Sequence, residues 1–368
     1  MLSKGSLEPS ANPPDPSLAS RPPASARAPR KTYAVFIPLG VVVVAALAWT
    51  GFWFHAASVA RATLSGWQER EAQLGRQFSC GSQAIGGYPF RFEVRCRDAA
   101  ADLIEAKPPL QIRAKELLTV AQIYQPTLIL AEIASPLTVG EGGRKAALAA
   151  QWTLAQASLR GLPMRPERVS VAVDNLKLSQ PEAAEPLFSA KHAELHARLD
   201  PQSPPDQLVV DVAARLEQAT SAAGGPILDE PIDFELSTVL HGLKDLKPKP
   251  VAELLRQLAA AGGDLQVVRA RMARGSMLAD ATGTLRLNPQ GRLEGRLEVT
   301  IAGIDFRLLE RALPQLKANA GPVGIGLLAL LGEQTKLEGR PAVSVPLRFT
   351  DGAAYLGPLP LGRSPSLF

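Results

Sequence analysis

The run His192-Ala193-Glu194-Leu195-His196 holds the two histidines best spaced for chemistry in this 368-residue chain. A zinc hydrolase of the H-E-x-x-H kind needs its glutamate directly after the first histidine and a helix that brings both imidazoles to one face. Here the glutamate comes one place late. The alternation puts His192, Glu194, His196 and Arg198 on one side and Ala193, Leu195, Ala197 and Leu199 on the other, which is the period of a strand. The expectation is a pair of solvent-facing histidines on a polar sheet face, with no metal bound. The remaining histidines, His55 and His241, stand alone.

Other chemistries find no better footing. No G-x-S-x-G elbow occurs, and Ser82, Ser276 and Ser344 sit beside turns or strands without a local base. Gly140 to Gly143 and Gly262-Gly263 lack the Lys-Ser/Thr pair of a phosphate loop. Glu69 and Glu71 fall on a helix surface. No catalytic or cofactor-binding residue is assigned, and the expectation is a protein that is not an enzyme.

Cys80 and Cys96 are the only cysteines, with fifteen residues between them. Two thiols without neighbouring histidines make an incomplete zinc site. In an oxidising compartment they are expected to form a disulfide. Between them lies Gly86-Gly87-Tyr88-Pro89-Phe90, a breaker followed by a proline that holds Tyr88 extended. From Phe90 the pattern alternates, with Phe90, Phe92, Val94 and Cys96 on one face of a half-buried strand. Tyr88, Pro89, Phe90 and Phe92 are therefore the candidate interaction motif, with the structural role of a turn leading into a strand favoured. The bridge is expected to pin this strand to a turn at Cys80-Gly81.

Compartment follows from the element that positions all of this. Tyr33 to Phe54 is a run of twenty-two residues without a charge, long enough to cross a bilayer as a helix. Lys4, Arg21, Arg27, Arg30 and Lys31 against Glu8 and Asp15 give the preceding tail +3. Basic residues beside a membrane span stay cytoplasmic, so the long remainder lies outside, which in a bacterial cell is the periplasm. The apolar run exceeds the 7–15 residues of a signal-peptide core, favouring an uncleaved anchor. The remainder carries +2 of the chain's +5 and shows no basic stripe interleaved with aromatics, so nucleic acid is not an expected partner.

Residues 1–31 are Pro-, Ser- and Ala-rich and are expected to be a disordered cytoplasmic tail. Residues 32–55 are the anchor and 56–78 a juxtamembrane helix. Residues 79–368 are a β-rich periplasmic domain with a sub-boundary weighed near 240–262. Alternating segments recur at 121–130, 145–154, 169–178, 189–199 and 207–216. They recur again at 265–272, 278–287, 292–301, 343–349 and 354–358. A helix is expected at 250–261, started by Pro250 and stopped by Gly262-Gly263, and two more at 306–318 and 327–331. Closely spaced strands without intervening helices imply an antiparallel meander. The fold class is α+β and mainly antiparallel β: a transmembrane helix, then a long curved meander, half-pipe or barrel-like, with a few short helices. Its aliphatic side is either a closed core or an open groove.

Three segments together carry a family resemblance: Gly86 to Cys96, Gly291-Arg292-Leu293-Glu294-Gly295, and Pro346 to Leu361. In them the chain resembles the bacterial family called domain of unknown function 2125, over roughly Trp67 to the end. The resemblance implies a single-anchor envelope protein with no assigned activity, and it supplies no catalytic residue. More loosely, the strand Gly87 to Val94 and the Leu/Ala-rich meander are similar to AsmA-like envelope proteins, whose β-groove folds are associated with lipid traffic. That likeness is one of fold. The expected function is envelope maintenance by an inner-membrane-anchored periplasmic sheet that binds lipid or acyl chains. The alternative is a structural or interaction module that contacts other envelope proteins.

Overall fold

The computed structural model describes residues 36–368 apart from 143, 145, 163–164, 184, 223–224, 248, 305–307, 309–310, 312–331 and 357–358. The expected tail over 1–31 lies outside the described residues, as do the helices over 306–318 and 327–331 except at Leu308 and Arg311. The chain divides into two units between Phe52 and Trp53.

Helix α1 (Ile37–Gln73) is one uninterrupted element of 37 residues, about 55 Å long at 1.5 Å per residue. It joins the expected anchor and juxtamembrane helix, and its apolar part is long enough to cross a membrane. It ends at Gln73, earlier than the expected residue 78. Gly75 adopts φ +72, and the Leu74 and Gly75 amides donate to the carbonyls of Glu71 and Ala72. This is the left-handed glycine stop of a helix C-terminus.

Eleven strands follow: β1 (Arg76–Gly86), β2 (Arg91–Leu103), β3 (Leu110–Gln122), β4 (Gln125–Ile133), β5 (Leu137–Glu141), β6 (Ala146–Gln151), β7 (Leu154–Arg160), β8 (Arg168–Ser179), β9 (Phe188–Leu199), β10 (Leu208–Ala219) and β11 (Ile232–Leu243). Helix α2 (Val251–Ala260) comes next. The chain then completes the sheet with β12 (Asp264–Arg274), β13 (Met277–Leu287), β14 (Leu293–Ala302), β15 (Glu333–Leu337), β16 (Arg340–Thr350), β17 (Ala353–Leu356) and β18 (Leu359–Arg363). α2 begins at Pro250 and ends before Gly262-Gly263, as the sequence predicts.

Every ladder is antiparallel and the ladders follow chain order, giving one large meander. The order is doubled in two places. The far side of β3 pairs with β4 along one half and with β5 along the other. Strands β7 and β6 continue those halves and both pair with β8. Likewise β16 lies against β14 on one side, with β15 and β17 sharing its other side. The β4/β5 break falls at Ser135-Pro136, and the β6/β7 break at Trp152-Thr153. Trp152 ties the two together: its Nε1 donates to the Ile133 carbonyl at 2.8 Å and its backbone amide to Ser135 Oγ at 3.2 Å.

Four sequence expectations are corrected. Cys80-Gly81 is not a turn but the middle of β1, which pairs with β2 from Arg76↔Leu103 to Gly86↔Glu93. The segment 121–130 is not one strand: a tight turn at Ile123-Tyr124 divides β3 from β4. That turn has none of the Gly, Pro or Asn that usually mark one. The segment 145–154 is likewise broken at Trp152. Strand β11 was not foreseen, and it pairs with β12 across residues 244–263, where the sub-boundary was weighed.

The buried residues gather near the strand ends. One cluster comprises Leu199, Leu208, Val210, Leu243 and Leu258, with Leu254 of α2 packed against it. Two smaller clusters, around Ala190-Ala219-Ile232 and around Leu278-Ala302-Ala342, lie at the opposite ends of the strands. An amphipathic α2 with Leu254 and Leu258 on one face thus caps the end of the aliphatic side where the first cluster lies.

Candidate functional site

Strand register assembles the aliphatic side into continuous cross-strand rows. Starting in β1, the directly paired residues are Ile85, Val94, Thr119, Ala131, Ala157, Val171, Leu195, Ala214, Leu236, Ala270, Ala281, Val299 and Val345. Only Thr119 carries a polar atom. A parallel row runs Ala155, Val173, Ala193, Leu216, Phe234, Met272, Ala279, Ile301 and Val343. In the first row only Val345 is buried, and Leu195 is 50% exposed; the rest are half-buried. A covered sheet face buries its central residues first. Here burial is deepest at the ends and shallow in the middle, and an extended apolar surface left open to this degree marks a contact surface.

The opposite face is charged in alternating sign along the matching row, Glu194, Arg215, Glu235, Arg271 and Asp280. Ion pairs cross and flank it: Arg215–Glu217 at 2.8 Å, Arg198–Asp211 at 2.6 Å, Arg269–Asp280 at 2.7 Å and Arg271–Glu338 at 2.8 Å. Each surface pair adds little to stability, but together they keep this face hydrated.

The expected histidine pair lies on that charged face, as its alternation predicts. His196 is exposed, whereas His192 is half-buried, which corrects the expectation for that residue. His192 Nδ1 faces Asp174 Oδ1 at 2.6 Å and its Nε2 faces Glu194 Oε1 at 2.8 Å; His196 Nε2 lies 3.4 Å from Glu194 Oε2. The hydrogen bond to Glu194, then that to Asp174, raises the His192 pKa above its ordinary value against the opposing effect of burial. The hydrogen bond from His192 holds the Glu194 carboxyl below its ordinary value. With both ring nitrogens facing carboxylates, His192 is a structural clamp between β8 and β9, and it lacks the free ring nitrogen that a base or a metal ligand needs. Among the described residues, no group of three or more His, Cys, Asp or Glu is arranged to hold a metal ion. His241 pairs with Asp264 at 2.8 Å, and Ser344 donates to Glu298 at 2.8 Å.

Cys80 and Cys96 form the disulfide, with Cα atoms 5.3 Å apart. It crosses the β1–β2 ladder diagonally, since Cys80 opposes Ala99 and Cys96 opposes Gln83. Strand is thus pinned to strand, not to a turn.

The Tyr88-Pro89-Phe90 motif is the β1–β2 turn, and Phe92 is the second residue of β2. The structure brings it together with Trp53, near the end of the uncharged run. Trp53 is 4% exposed. Its ring stacks on Phe92 at 5.7 Å and meets Tyr88 edge-on at 5.6 Å, and its Nε1 donates to the Arg91 carbonyl at 3.2 Å. Further along α1, Trp67 stacks on Phe78 at 4.8 Å. The signal for this docking was present as aromatic residues at both ends of the 53–92 segment, but no local periodicity links them.

One apolar helix joined to a single antiparallel meander, with one aliphatic and one charged face, defines a class of helix-tethered sheet proteins. The chain belongs to the DUF2125 family, described as an uncharacterised protein conserved in bacteria, whose model matches residues 53–365. The match starts at Trp53, fourteen residues before the extent read from the sequence. No curated protein and no solved structure matches the chain.

Proposed function

We propose that this protein is anchored in the bacterial inner membrane by α1, amino end in the cytoplasm, and that its periplasmic sheet holds lipid acyl chains along the aliphatic face for envelope maintenance. The observation that carries the reading is the first aliphatic row, apolar across the meander apart from Thr119 yet only half-buried. Acyl chains would take the place of water against these side chains, and burial of apolar area stabilises by roughly 25 cal/mol per Å². The Cys80–Cys96 bridge and the apolar helix support the periplasmic placement. The reading includes no catalytic step, cofactor or nucleic acid.

Native mass spectrometry of the full chain released from nanodiscs tests it. Bound phospholipid should persist after annular lipid is stripped. Leu195→Glu, a change at an exposed position that leaves the strand intact, should lower that occupancy. Arg168→Glu on the charged face should not. Equal occupancy in all three would contradict the reading.

A second reading is an interaction module for envelope proteins. It is favoured by β1 and β18, whose ladders to β2 and β17 place them at the two ends of the meander. An end strand accepts a partner strand by backbone hydrogen bonding. In-cell crosslinking from β1 that recovers one defined protein would support it.

A further inference from the structure

The strands run between two ends, and the exposed aromatic residues are not shared evenly between them. One end carries the turns after β1, β3, β7, β9, β11, β13 and β16. Tyr88 and Phe90 (63% exposed) lie in the first of these turns and Tyr124 (75% exposed) in the second. The Ile123 amide donates to the Phe90 carbonyl at 3.1 Å, so the two turns are adjacent. Among the described residues these three are the only exposed large aromatics outside α1. Val251 of α2 and Leu367, whose amide donates to the Gly291 carbonyl at 3.0 Å, are also exposed at this end. Among the described residues, the opposite end exposes Ile104 and Ile227 and no large aromatic residue.

Trp53 fixes which end this is. The uncharged run of α1 closes at Phe54, so by chain continuity a residue at 53 belongs at one boundary of any bilayer that the run crosses. Trp53 is packed on Tyr88 and Phe92 and is hydrogen-bonded to Arg91. The aromatic turns are therefore held at the same depth as Trp53. Tyr and Trp rings, apolar in body with a polar tip, are favoured at the headgroup level. A buried tryptophan that clamps an exposed Tyr-Pro-Phe tip is a device for setting depth.

We infer that the end of the sheet formed by the 86–90 and 123–124 turns is a membrane-docking edge, with Tyr88, Phe90 and Tyr124 seated in the interface of the lipid surface that α1 enters. This inference rests on the anchor reading. It goes beyond it by placing these turns, the first of them packed on Trp53, at the lipid surface. The end of the aliphatic face that α2 covers then lies beside the lipid.

The test uses the full chain in vesicles of phosphatidylethanolamine and phosphatidylglycerol containing nitroxide-labelled lipid. A fluorescent coumarin amino acid is placed singly at Phe52, Phe90, Tyr124 or Ile227, and intact disulfide on a non-reducing gel confirms each fold. Quenching at Phe90 and Tyr124 severalfold above that at Ile227, together with quenching at Phe52, is the expected result. Quenching at Phe52 with Phe90 and Tyr124 no higher than Ile227 would overturn the docking edge and leave the anchor standing. No quenching at Phe52 would overturn both.

Discussion

The side chains best suited to chemistry in this sequence are used as ties between strands. His192 spends both ring nitrogens on Asp174 and Glu194. Its raised pKa means that its contribution to stability is complete below the ordinary histidine value near 6.5 and is lost as pH rises through the folded-state value. The lowered Glu194 pKa means that its contribution is present above about 4.5 and is lost as pH falls through the lower folded-state value. Stability of the sheet should therefore decline from mildly acidic pH toward alkaline pH. His192→Gln should flatten that decline in denaturant titrations across the range. The disulfide is a second tie: Cys80→Ser with Cys96→Ser should cost about 3 kcal/mol for a loop of this length, measured by urea unfolding. Trp53 is a third. Trp53→Ala should destabilise by roughly 3–5 kcal/mol. Trp53→Phe keeps a ring against Phe92 but loses the bond to the Arg91 carbonyl and part of the indole's packing, and should cost about 1–3 kcal/mol, less than Trp53→Ala.

At the scale of elements, most strands were legible because a sheet with one apolar and one charged face writes a period of two into its sequence. β8, β9, β10, β12, β13 and β14 lie within a few residues of their expected bounds for that reason. Legibility failed where the turn chemistry was silent. Ile123-Tyr124 turns the chain with two residues that favour strands, and the exposed Tyr124 ring shows that nothing apolar opposes the reversal. The β1 strand was hidden because Ser79, Gly81 and Ser82 read as a loop, and only pairing with β2 makes them a ladder. Close backbone approach was also invisible. Gly283 and Gly295 sit inside β13 and β14 with φ +148 and +132, and a Cβ on either would lie 2.1–2.2 Å from a carbonyl oxygen of the facing strand. Gly295→Ala should thus lower stability by about 1–3 kcal/mol, a difference that thermal unfolding would register as a drop in Tm.

At the scale of the whole molecule, the sequence posed a choice that only register could address. Alternation shows that one side of each strand is aliphatic, but it is silent on what lies opposite. Register brings Val171, Leu195, Ala214 and Leu236 into one row, and their incomplete burial separates this face from the clusters at the strand ends. The charged face, by contrast, is closed on itself through Arg–carboxylate pairs. A protein so divided presents one aliphatic and one charged surface. The most direct measurement places benzoylphenylalanine singly at Leu195 or Ala214, and at Arg215 as the control, in the full chain in living cells, with irradiation and mass spectrometry of the adducts. Phospholipid adducts at Leu195 and Ala214, and none at Arg215, are the predicted result. Absence of lipid adducts from Leu195 and Ala214, with the protein folded and oxidised, would contradict the account.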